Sequence, residues 1–271
     1  MMLIDTHCHL DAPQFDQDRD KAAFSALDNG VQVIVVPGVE RSNFELVCQL
    51  AEQYPHCAYG LGIHPLFVGR ADPQDLQLLE KLIQQKLKNP KPPVAVGEIG
   101  LDFYIEGYDR EKQEFYFSEQ LKLARKHGLP VILHVRKSSD LVLKHLRRIE
   151  VRGGIAHAFN GSRQQADMFI EMGFKLGFGG AMTYDRALRI RELARTLPMK
   201  SIVLETDAPD IPPEWLGHKG RNTPDQLPRI AEVLAELRGM KSAEVAEITV
   251  ENALAALPNL AQLCTSLHVQ H

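Results

Sequence analysis

The amino-acid sequence predicts an α/β fold of the (β/α)8 barrel type, with a TIM-like architecture. Short apolar runs of strand length recur eight times, and the segments between them place apolar residues at a spacing near 3.6. Alternation of strand and helix favours a parallel sheet, because parallel neighbours need a crossover connection. Eight repeats favour closure into a barrel, and an open, doubly wound sheet is the alternative.

The predicted strands are short and rich in Val, Ile and Leu. They are Leu3–Thr6, Val31–Pro37, Ala58–Ile63, Val94–Gly97, Val131–Val135, Gly154–Ala158, Phe174–Gly179 and Ser201–Glu205. Runs of this length and composition are typical of strands that are buried on both faces of a parallel sheet. We therefore expect all of them in one sheet.

The predicted helices lie between these runs, and three of them have clear apolar stripes. The stripes are Leu76, Leu79, Ile83 and Leu87; Phe117, Leu121 and Ala124; and Leu227, Ile230, Leu234 and Leu237. Three helix starts are marked by capping residues, namely Ser42 with Glu45, Ser162 with Gln165, and Thr223 before Pro224. Each stripe is expected to pack against the outside of the sheet.

The length of 271 residues would allow two modest domains, yet barrels of this type commonly use such a length for one. The Pro-rich segment 89–93 is too short for an interdomain linker. Its prolines predict a stiff, extended segment that leads into the fourth strand. We expect a single domain over residues 1–271, with a barrel core of about 3–258 and a C-terminal tail over 259–271.

Composition and charge limit the classes of function. Hydrophobic residues make up 44% of the chain and charged residues 24%, as in ordinary globular proteins. The net charge of −4 gives no general attraction to nucleic acid or to anionic membranes, so a polyanionic substrate would need a local patch or a metal. Neither a membrane span nor a secretory leader is recognisable, and the four cysteines form no C-x-x-C pair. We expect a cytoplasmic protein with no obligate protein partner.

Residues that can bind metals follow the predicted strands. They are His7 and His9 after the first strand, His64 after the third, Glu98 after the fourth, His134 after the fifth, His157 after the sixth, and Glu205 and Asp207 after the eighth. The carboxyl ends of barrel strands meet at one rim, where barrel enzymes build their active sites. Imidazole nitrogens and carboxylate oxygens are ligands of divalent transition metals. The set predicts a metal site, although each residue alone would also suit a hydrogen-bonded core position or a solvated loop.

Several motifs occur in a fixed order from residue 5 to about residue 224. They are Asp-Thr-His-Cys-His-Leu-Asp at 5–11, Gly-Ile-His-Pro at 62–65, Gly-Glu-Ile-Gly-Leu-Asp at 97–102, His134, His157, Glu-Thr-Asp-Ala-Pro at 205–209 and Arg-Asn-Thr-Pro at 221–224. Together they resemble the TatD-type metal-dependent hydrolases of the amidohydrolase superfamily. The resemblance implies a distorted (β/α)8 barrel, a two-metal site and hydrolysis of ester bonds, which in several members are the phosphodiesters of DNA.

The resemblance also implies roles for six residues. The metal ligands would be His7, His9 and Asp207 for one cation and His134 and His157 for the other, with Glu98 bridging both. Asp207 would accept the proton of the attacking water and return it to the leaving group. The expected cofactors are two divalent cations, for which zinc, manganese, magnesium, nickel and cobalt all suit these ligands. An isolated Asp207 would also suit a helix N-cap.

Candidate substrate contacts lie in loops after the third, fifth and eighth strands. His64, Arg136 and Arg221 are placed to meet a phosphate, and an arginine can do so through two N–H groups. Lys219 and His218 also lie in the last of these loops. For all of these residues the alternative is a solvated surface position.

Further features near the rim allow two interpretations each. Segment 208–223 is long for a barrel loop and rich in proline, which predicts a semi-rigid lid. Phe103, Tyr104 and Tyr108 could stack on a nucleobase or pack beneath their own loop. Asp5 could orient a ligand histidine or fill the barrel interior.

Two classes of enzyme remain open from the sequence. The first is a metal-dependent phosphodiesterase that acts on nucleic acid, and the second is a carboxylic-ester or amide hydrolase, such as a deacylase of aminoacylated nucleic acid or a lactonase. A two-metal site can activate water for attack on a phosphate ester or on a carboxylic ester or amide, so it does not distinguish the two classes. A non-enzymatic metal-binding protein is disfavoured, because Glu98, Asp207 and open rim loops would have no purpose in a closed structural site.

Overall fold

The computed structural model describes residues 2–268 and contains an eight-stranded parallel sheet. The strands are β1 Leu3–Asp5, β2 Val31–Pro37, β3 Cys57–Leu61, β4 Ala95–Asp102, β5 Val131–Arg136, β6 Gly154–Ala156, β7 Phe174–Phe178 and β8 Ile202–Leu204. Each strand pairs in parallel with the next along the chain. Because the order never reverses, the sheet has no switch point, and the open doubly wound alternative is excluded.

Strand β8 returns to β1 and nearly closes the barrel. The Thr6 N–H donates to the Leu204 carbonyl oxygen over 3.1 Å. The Asp5 carboxylate accepts the Thr206 N–H over 2.9 Å and the Thr206 hydroxyl over 2.6 Å. The predicted (β/α)8 barrel is therefore confirmed, and Asp5 fixes the end of β8 beside the end of β1.

Ten α-helices occur within the described residues. They are α1 Arg19–Asp28, α2 Phe44–Gln53, α3 Pro73–Lys86, α4 Arg110–His127, α5 Ser139–Arg148, α6 Arg163–Glu171, α7 Leu188–Thr196, α8 Leu227–Arg238, α9 Ser242–Ala256 and α10 Leu260–His268. The predicted stripes are buried at their centres, for example at Leu79, Leu121 and Leu234. None of the described helices is long and apolar enough to cross a membrane.

Two of the predicted helix starts lie close to their expected positions. Ser162 and Gln165 form the predicted reciprocal capping box at the start of α6. Thr223 begins a 3-10 turn over Pro224–Gln226, and α8 follows from Leu227. The third predicted cap requires a correction.

The predicted capping box of Ser42 with Glu45 is wrong. The box instead joins Glu40 with Asn43, and α2 begins at Phe44. Glu40 has an extended backbone and is followed at once by a 3-10 turn over residues 41–43. Ser42 therefore lies inside that turn, where its hydroxyl does not serve as the cap.

One end of the barrel is filled by aliphatic side chains. The strands contribute Ile4, Val33, Val35, Ala58, Ala95, Ile132, Ile155 and Val203. They are covered by Val250 and Ala253 of α9, by Leu257 between the two helices, and by Leu260 and Leu263 of α10. The Asn252 amide donates to the Ile202 carbonyl oxygen over 2.7 Å, which places α9 at the amino end of β8. The polar residues that follow the strands therefore lie at the opposite, carboxyl end.

The predicted C-terminal tail includes regular structure. Residues 260–268 form α10, and Leu260 is fully buried against the barrel. Residue 1 and residues 269–271, which the predicted domain includes, lie outside the described residues. The division into one core over 3–258 and a tail remains a prediction.

Candidate metal centre

The Glu98 carboxylate lies at the centre of a histidine cluster at the carboxyl ends of the strands. Glu98 belongs to β4 and is only 1% exposed. Its Oε2 lies 3.2 Å from His7 Nε2 and 3.4 Å from His9 Nε2. Its Oε1 lies 2.9 Å from His134 Nδ1 and 2.8 Å from His157 Nε2. The two oxygens of one carboxylate thus face two different pairs of histidines.

Asp207 completes the group around Glu98 Oε2. Its Oδ1 lies 3.5 Å from His7 Nε2 and 3.7 Å from His9 Nε2, and the Asp207 N–H donates to the His7 carbonyl oxygen over 2.8 Å. The two histidine nitrogens are 3.2 Å apart. Four ligands held tetrahedrally at 2.0–2.1 Å from a zinc-sized cation would be separated by roughly 3.3–3.4 Å. The spacing of these atoms therefore fits one divalent cation.

A second group surrounds Glu98 Oε1. His157 Nε2 lies 3.4 Å from His134 Nδ1, and His64 Nε2 lies 3.2 Å from Glu98 Oε1. The His157 ring also stacks on the His7 ring, with 3.8 Å between their centroids. The two groups are therefore in direct contact, and the structure adds His64 to the cluster.

Hydrogen bonding fixes the tautomer of neutral His64. The Leu66 N–H donates to His64 Nδ1 over 3.1 Å, so Nδ1 carries a lone pair and the ring proton lies on Nε2. Burial lowers the pKa of His64 to about 4, which keeps the ring neutral at neutral pH. His64 Nε2 therefore donates towards Glu98 instead of offering a lone pair to a cation.

Asp102 orients the His134 ring. Its Oδ2 accepts His134 Nε2–H over 3.0 Å, which leaves Nδ1 directed at Glu98. The Gln113 amide clamps the Asp102 backbone, accepting its N–H over 2.9 Å and donating to its carbonyl oxygen over 3.1 Å. A carboxylate on the remote nitrogen of a ligand histidine fixes its tautomer and makes it a better ligand.

Glu205 lies behind His157 and is only 1% exposed. Its Oε1 accepts the Ala158 N–H and lies 3.8 Å from His157 Nδ1. Gly177 provides the necessary space, because a Cβ there would lie 2.1 Å from Glu205 Oε2. Burial raises the pKa of Glu205 to about 8. Glu205 thus faces the ring nitrogen of His157 that points away from Glu98, as Asp102 does for His134. The distance is 3.8 Å for Glu205 and 3.0 Å for Asp102.

Glu98 and the surrounding histidines shift the pKa values of one another. Burial raises the pKa of Glu98, but the neighbouring histidines outweigh it and hold that pKa well below its usual value. Burial lowers the pKa of His9 and His157, but Glu98 outweighs it and raises these to about 9 and about 10. These shifts favour an anionic Glu98 beside protonated His9 and His157 at neutral pH in the chain alone. A binding cation must displace these protons, because imidazole binds metals in its neutral form.

A cavity of about 990 Å³ opens above the cluster. Its wall includes the cluster residues other than His7, and a largely apolar surface formed by Leu46, Leu66, Phe67, Phe159, Ile190 and Ile211. The buried ligand atoms are thus accessible to a small molecule or to a chain end.

Comparison with known proteins identifies the family. The sequence matches the TatD-related DNase family over residues 4–258. The chain belongs to this TatD family. It is 41% identical over 251 residues to the uncharacterized metal-dependent hydrolase YjjV of Escherichia coli K12, covering 92% of this chain and 95% of that protein. Family membership makes the protein a metal-dependent hydrolase of the TatD type.

One further relative and a crystal structure agree with this placement in the TatD family. The chain is 32% identical over 257 residues to the 3'-5' ssDNA/RNA exonuclease TatD of Salmonella typhimurium, covering 93% of this chain and 97% of that protein. The crystal structure of the TatD homologue YJJV from Escherichia coli K12 superposes with a TM-score of 0.89 at 40% identity, covering 94% of this chain and 98% of that one. The resemblance inferred from the sequence motifs is confirmed.

Arg221 of this TatD-family chain is held in place by other residues of the chain. Its guanidinium donates to both carboxylate oxygens of Asp18, over 2.8 and 2.6 Å, and to the Gln14 carbonyl oxygen over 2.7 Å. It thereby ties the loop after β8 to the segment before α1, and it does not line the cavity. A substrate contact of Arg221 remains a prediction, whereas Arg136 does line the cavity.

The long loop 208–223 is held by side-chain hydrogen bonds at its middle and near its carboxyl end. The Asn222 amide donates to the Thr206 carbonyl oxygen over 2.8 Å, and Trp215 Nε1–H donates to the Gln226 side chain over 2.8 Å. Residues 209–211 of the loop line the cavity. The loop therefore forms a fixed part of the cavity wall in this structure.

Asp102 was not predicted as a site residue, although the sequence contains a signal for it, and Glu205 was predicted only as a residue at the rim that can bind metal. Residues 98 and 102 have the same parity, so both side chains point to one face of β4. Glu205 and Asp207 are two residues apart, but β8 ends at Leu204. Strand alternation therefore does not determine where these two side chains point. The contact of Glu205 with His157 depends on how β6 and β8 are placed in the barrel.

Proposed function

We propose that this protein is a divalent-metal-dependent phosphodiesterase, a nuclease that hydrolyses nucleic acid with two cations. The observation that carries the proposal is that the two Glu98 oxygens face separate histidine groups, 2.8 to 3.4 Å away. Two cations bound there would activate water and neutralise charge on the phosphate oxygens. The name of the Salmonella relative, an exonuclease on ssDNA and RNA, supports this substrate class.

The proposed ligand sets follow the two oxygens of Glu98. One cation would be held by His7, His9, Asp207 and Glu98 Oε2, and the other by His134, His157 and Glu98 Oε1. These nitrogen and oxygen donors suit zinc, manganese, nickel, cobalt or magnesium. Elemental analysis of protein purified without added metal would identify the cation.

Asp207 is the proposed proton carrier. Its Oδ1 faces His7 and His9, and its second oxygen is available to take the proton of the attacking water. Burial raises the pKa of Asp207, which makes its carboxylate a stronger base. The same carboxyl group can then return the proton to the leaving oxygen.

His64 and Arg136 are the proposed substrate contacts inside the cavity. The His64 Nε2–H donates towards Glu98 Oε1 in the chain alone; a cation bound to that oxygen would leave the N–H to donate to a phosphate oxygen. Arg136 lines the cavity two residues after His134. Arg221 lies farther out, and would meet a substrate that extends beyond the cavity.

A substrate panel tests the proposal. Metal-loaded protein is incubated with single-stranded DNA, bis(p-nitrophenyl) phosphate and a set of carboxylic esters and amides. The Glu98→Ala variant is treated in the same way as a control for contaminating nucleases. We expect hydrolysis of both phosphodiesters and little turnover of the acyl compounds. Turnover of an acyl ester with intact phosphodiesters would show that the protein is a carboxylic-ester or amide hydrolase instead.

A further inference from the structure

The charged residues of the cavity wall differ between its two sides. Among the described residues that line the cavity, apart from histidines, Arg136 is the single basic one. Asp11 and Asp210 line it as well, and these acids follow His9 and Asp207 in the chain. The base thus lies beside the His134 group, and the two acids lie beside the group of β1 and β8.

Arg136 is exposed and available to an anion. Within residues 2–268 its guanidinium has no hydrogen bond or ion pair to a carboxylate, although its charge helps to lower the pKa of Asp102. Its Cζ lies 3.9 Å from the centre of the Tyr104 ring, and Lys137 Nζ lies 4.7 Å from the same centre. The ring limits the motion of the guanidinium and leaves its planar N–H groups free for a phosphate.

The aromatic residues beside Arg136 have separate roles. Tyr104 is 52% exposed, whereas Phe103 is partly buried and packs against the core. The Tyr104 N–H donates to Asp102 Oδ1 over 2.9 Å. The Tyr104 backbone is therefore bound to the residue that orients His134, and its ring lies against the Arg136 guanidinium.

The acids on the opposite side have no lysine or arginine side-chain partner within residues 2–268. Asp11 Oδ2 accepts the Asn43 amide over 2.8 Å, and its Oδ1 is buried 4.0 Å from His9 Nδ1 without a hydrogen bond. The Asp210 carboxylate makes no hydrogen bond or ion pair within the described residues. Glu40, a third acid in the wall, is neutralised by Arg70 at 2.9 Å. A phosphate placed near Asp11 and Asp210 would be repelled.

We propose that the cavity accepts a short phosphodiester with one additional anionic group, and that a longer polynucleotide chain gains no further affinity from it. The scissile phosphate lies at the metal centre, one further phosphate binds Arg136, and the remaining wall takes uncharged base and sugar. This inference rests on the proposed phosphodiesterase function and specifies its substrate class as chain ends and short oligonucleotides.

The first test compares dinucleotides that differ by one phosphate. The substrates are dithymidine monophosphate and the same compound with a terminal 5'- or 3'-phosphate, each with metal-loaded protein. We expect one phosphorylated form to have a kcat/KM about tenfold higher, which corresponds to one charge-assisted contact. Arg136→Gln should reduce that ratio to about one, because the guanidinium is lost.

Arg189 provides a matched control. Its guanidinium donates to Asn160 at the rim over 2.6 Å, and Arg189 does not itself line the cavity. Arg189→Gln changes the net charge by the same amount as Arg136→Gln. It should leave the tenfold ratio in place, and an equal loss of the ratio in both variants would overturn the role of Arg136.

The second test varies chain length and salt. A single-stranded DNA of about 20 nucleotides should have a kcat/KM within about threefold of the preferred dinucleotide, with a log–log salt slope near −0.7, as expected for one phosphate contact. Asp210→Asn should raise the ratio of long to short substrate. A long strand preferred more than about tenfold, with a slope steeper than about −2, overturns the inference. Failure to hydrolyse any phosphodiester would instead overturn the proposed function on which it rests.

Discussion

The two ends of the barrel are built from the same eight strands but differ in chemistry. At the amino end, aliphatic residues such as Val35 and Val203 pack against α9 and α10. At the carboxyl end, buried polar atoms remain without hydrogen-bond partners among the described residues, including His7 Nδ1, His157 Nδ1 and Glu205 Oε2. Unpartnered buried polar atoms destabilise a fold. The amino end therefore supplies stability, and the carboxyl end is organised for binding.

The largest expected effect concerns Glu98. Glu98→Ala should reduce phosphodiester hydrolysis by about 1,000-fold or more, because both proposed cations lose a shared ligand and water activation is lost. The free energy of unfolding of the metal-free protein should also fall, because the buried histidines around Glu98 lose their anionic partner. Hydrolysis of bis(p-nitrophenyl) phosphate and denaturant titration measure the two quantities. Full activity in this variant would contradict the bridging role.

The opposite result is expected at the amino end. Leu257 is fully buried in the cluster that closes the barrel, so Leu257→Ala should lower the free energy of unfolding by about 2–5 kcal/mol. Metal content and kcat of the folded variant should remain close to those of the parent. A loss of metal at unchanged stability would show that the two ends are not separate in function.

An intermediate effect is expected for Asp102. Asp102→Asn should lower metal affinity or activity by about 10- to 100-fold, because the hydrogen bond that orients His134 is weakened. Glu205→Gln should have a smaller effect, since Glu205 lies 3.8 Å from His157, compared with 3.0 Å between Asp102 and His134. Isothermal titration with the metal measures both affinities, and the reverse order of effects would contradict this assignment.

The smallest and most gradual effect is a dependence on pH. His9 and His157 have pKa values of about 9 and about 10 in the metal-free fold, above the ordinary value of about 6.5. Their contribution to metal-free stability is therefore fully present below about pH 6.5 and is lost as the pH rises through 9 to 10. Metal affinity should rise over the same range, because the protons leave.

Titration calorimetry in two buffers of different ionisation enthalpy should detect protons released by metal binding near neutral pH. Denaturant midpoints of the metal-free protein give the accompanying change in stability. A metal affinity that stays constant between about pH 6.5 and pH 9 would contradict protonated histidines in the metal-free cluster.

The sequence predicted the barrel and the cluster because both follow from strong local patterns. Apolar runs define the strands, and the carboxyl ends of parallel strands meet at one rim, which brings His7, Glu98 and His157 together. Strand ends were less predictable. The fourth strand was predicted to end at Gly97, but β4 continues to Asp102.

Glycine explains the misplaced end of β4. Gly97 and Gly100 indicate a strand end when the sequence is considered alone. In the structure a Cβ at Gly100 would lie 1.9 Å from the His134 carbonyl oxygen, so this glycine permits close pairing with β5. The register that pairs Gly100 with His134 also brings Asp102 near the His134 ring. Local sequence patterns do not predict the register between β4 and β5, so this contact could not be predicted.

The number of cations bound per chain tests the central claim most directly. Equilibrium dialysis against manganese or zinc, followed by elemental analysis, should be performed on the parent protein and on Glu98→Gln. The account predicts about two cations per chain for the parent and a clear reduction for the variant. One cation per chain in a fully active parent, or an unchanged content in the variant, would contradict the claim that Glu98 joins two metal sites.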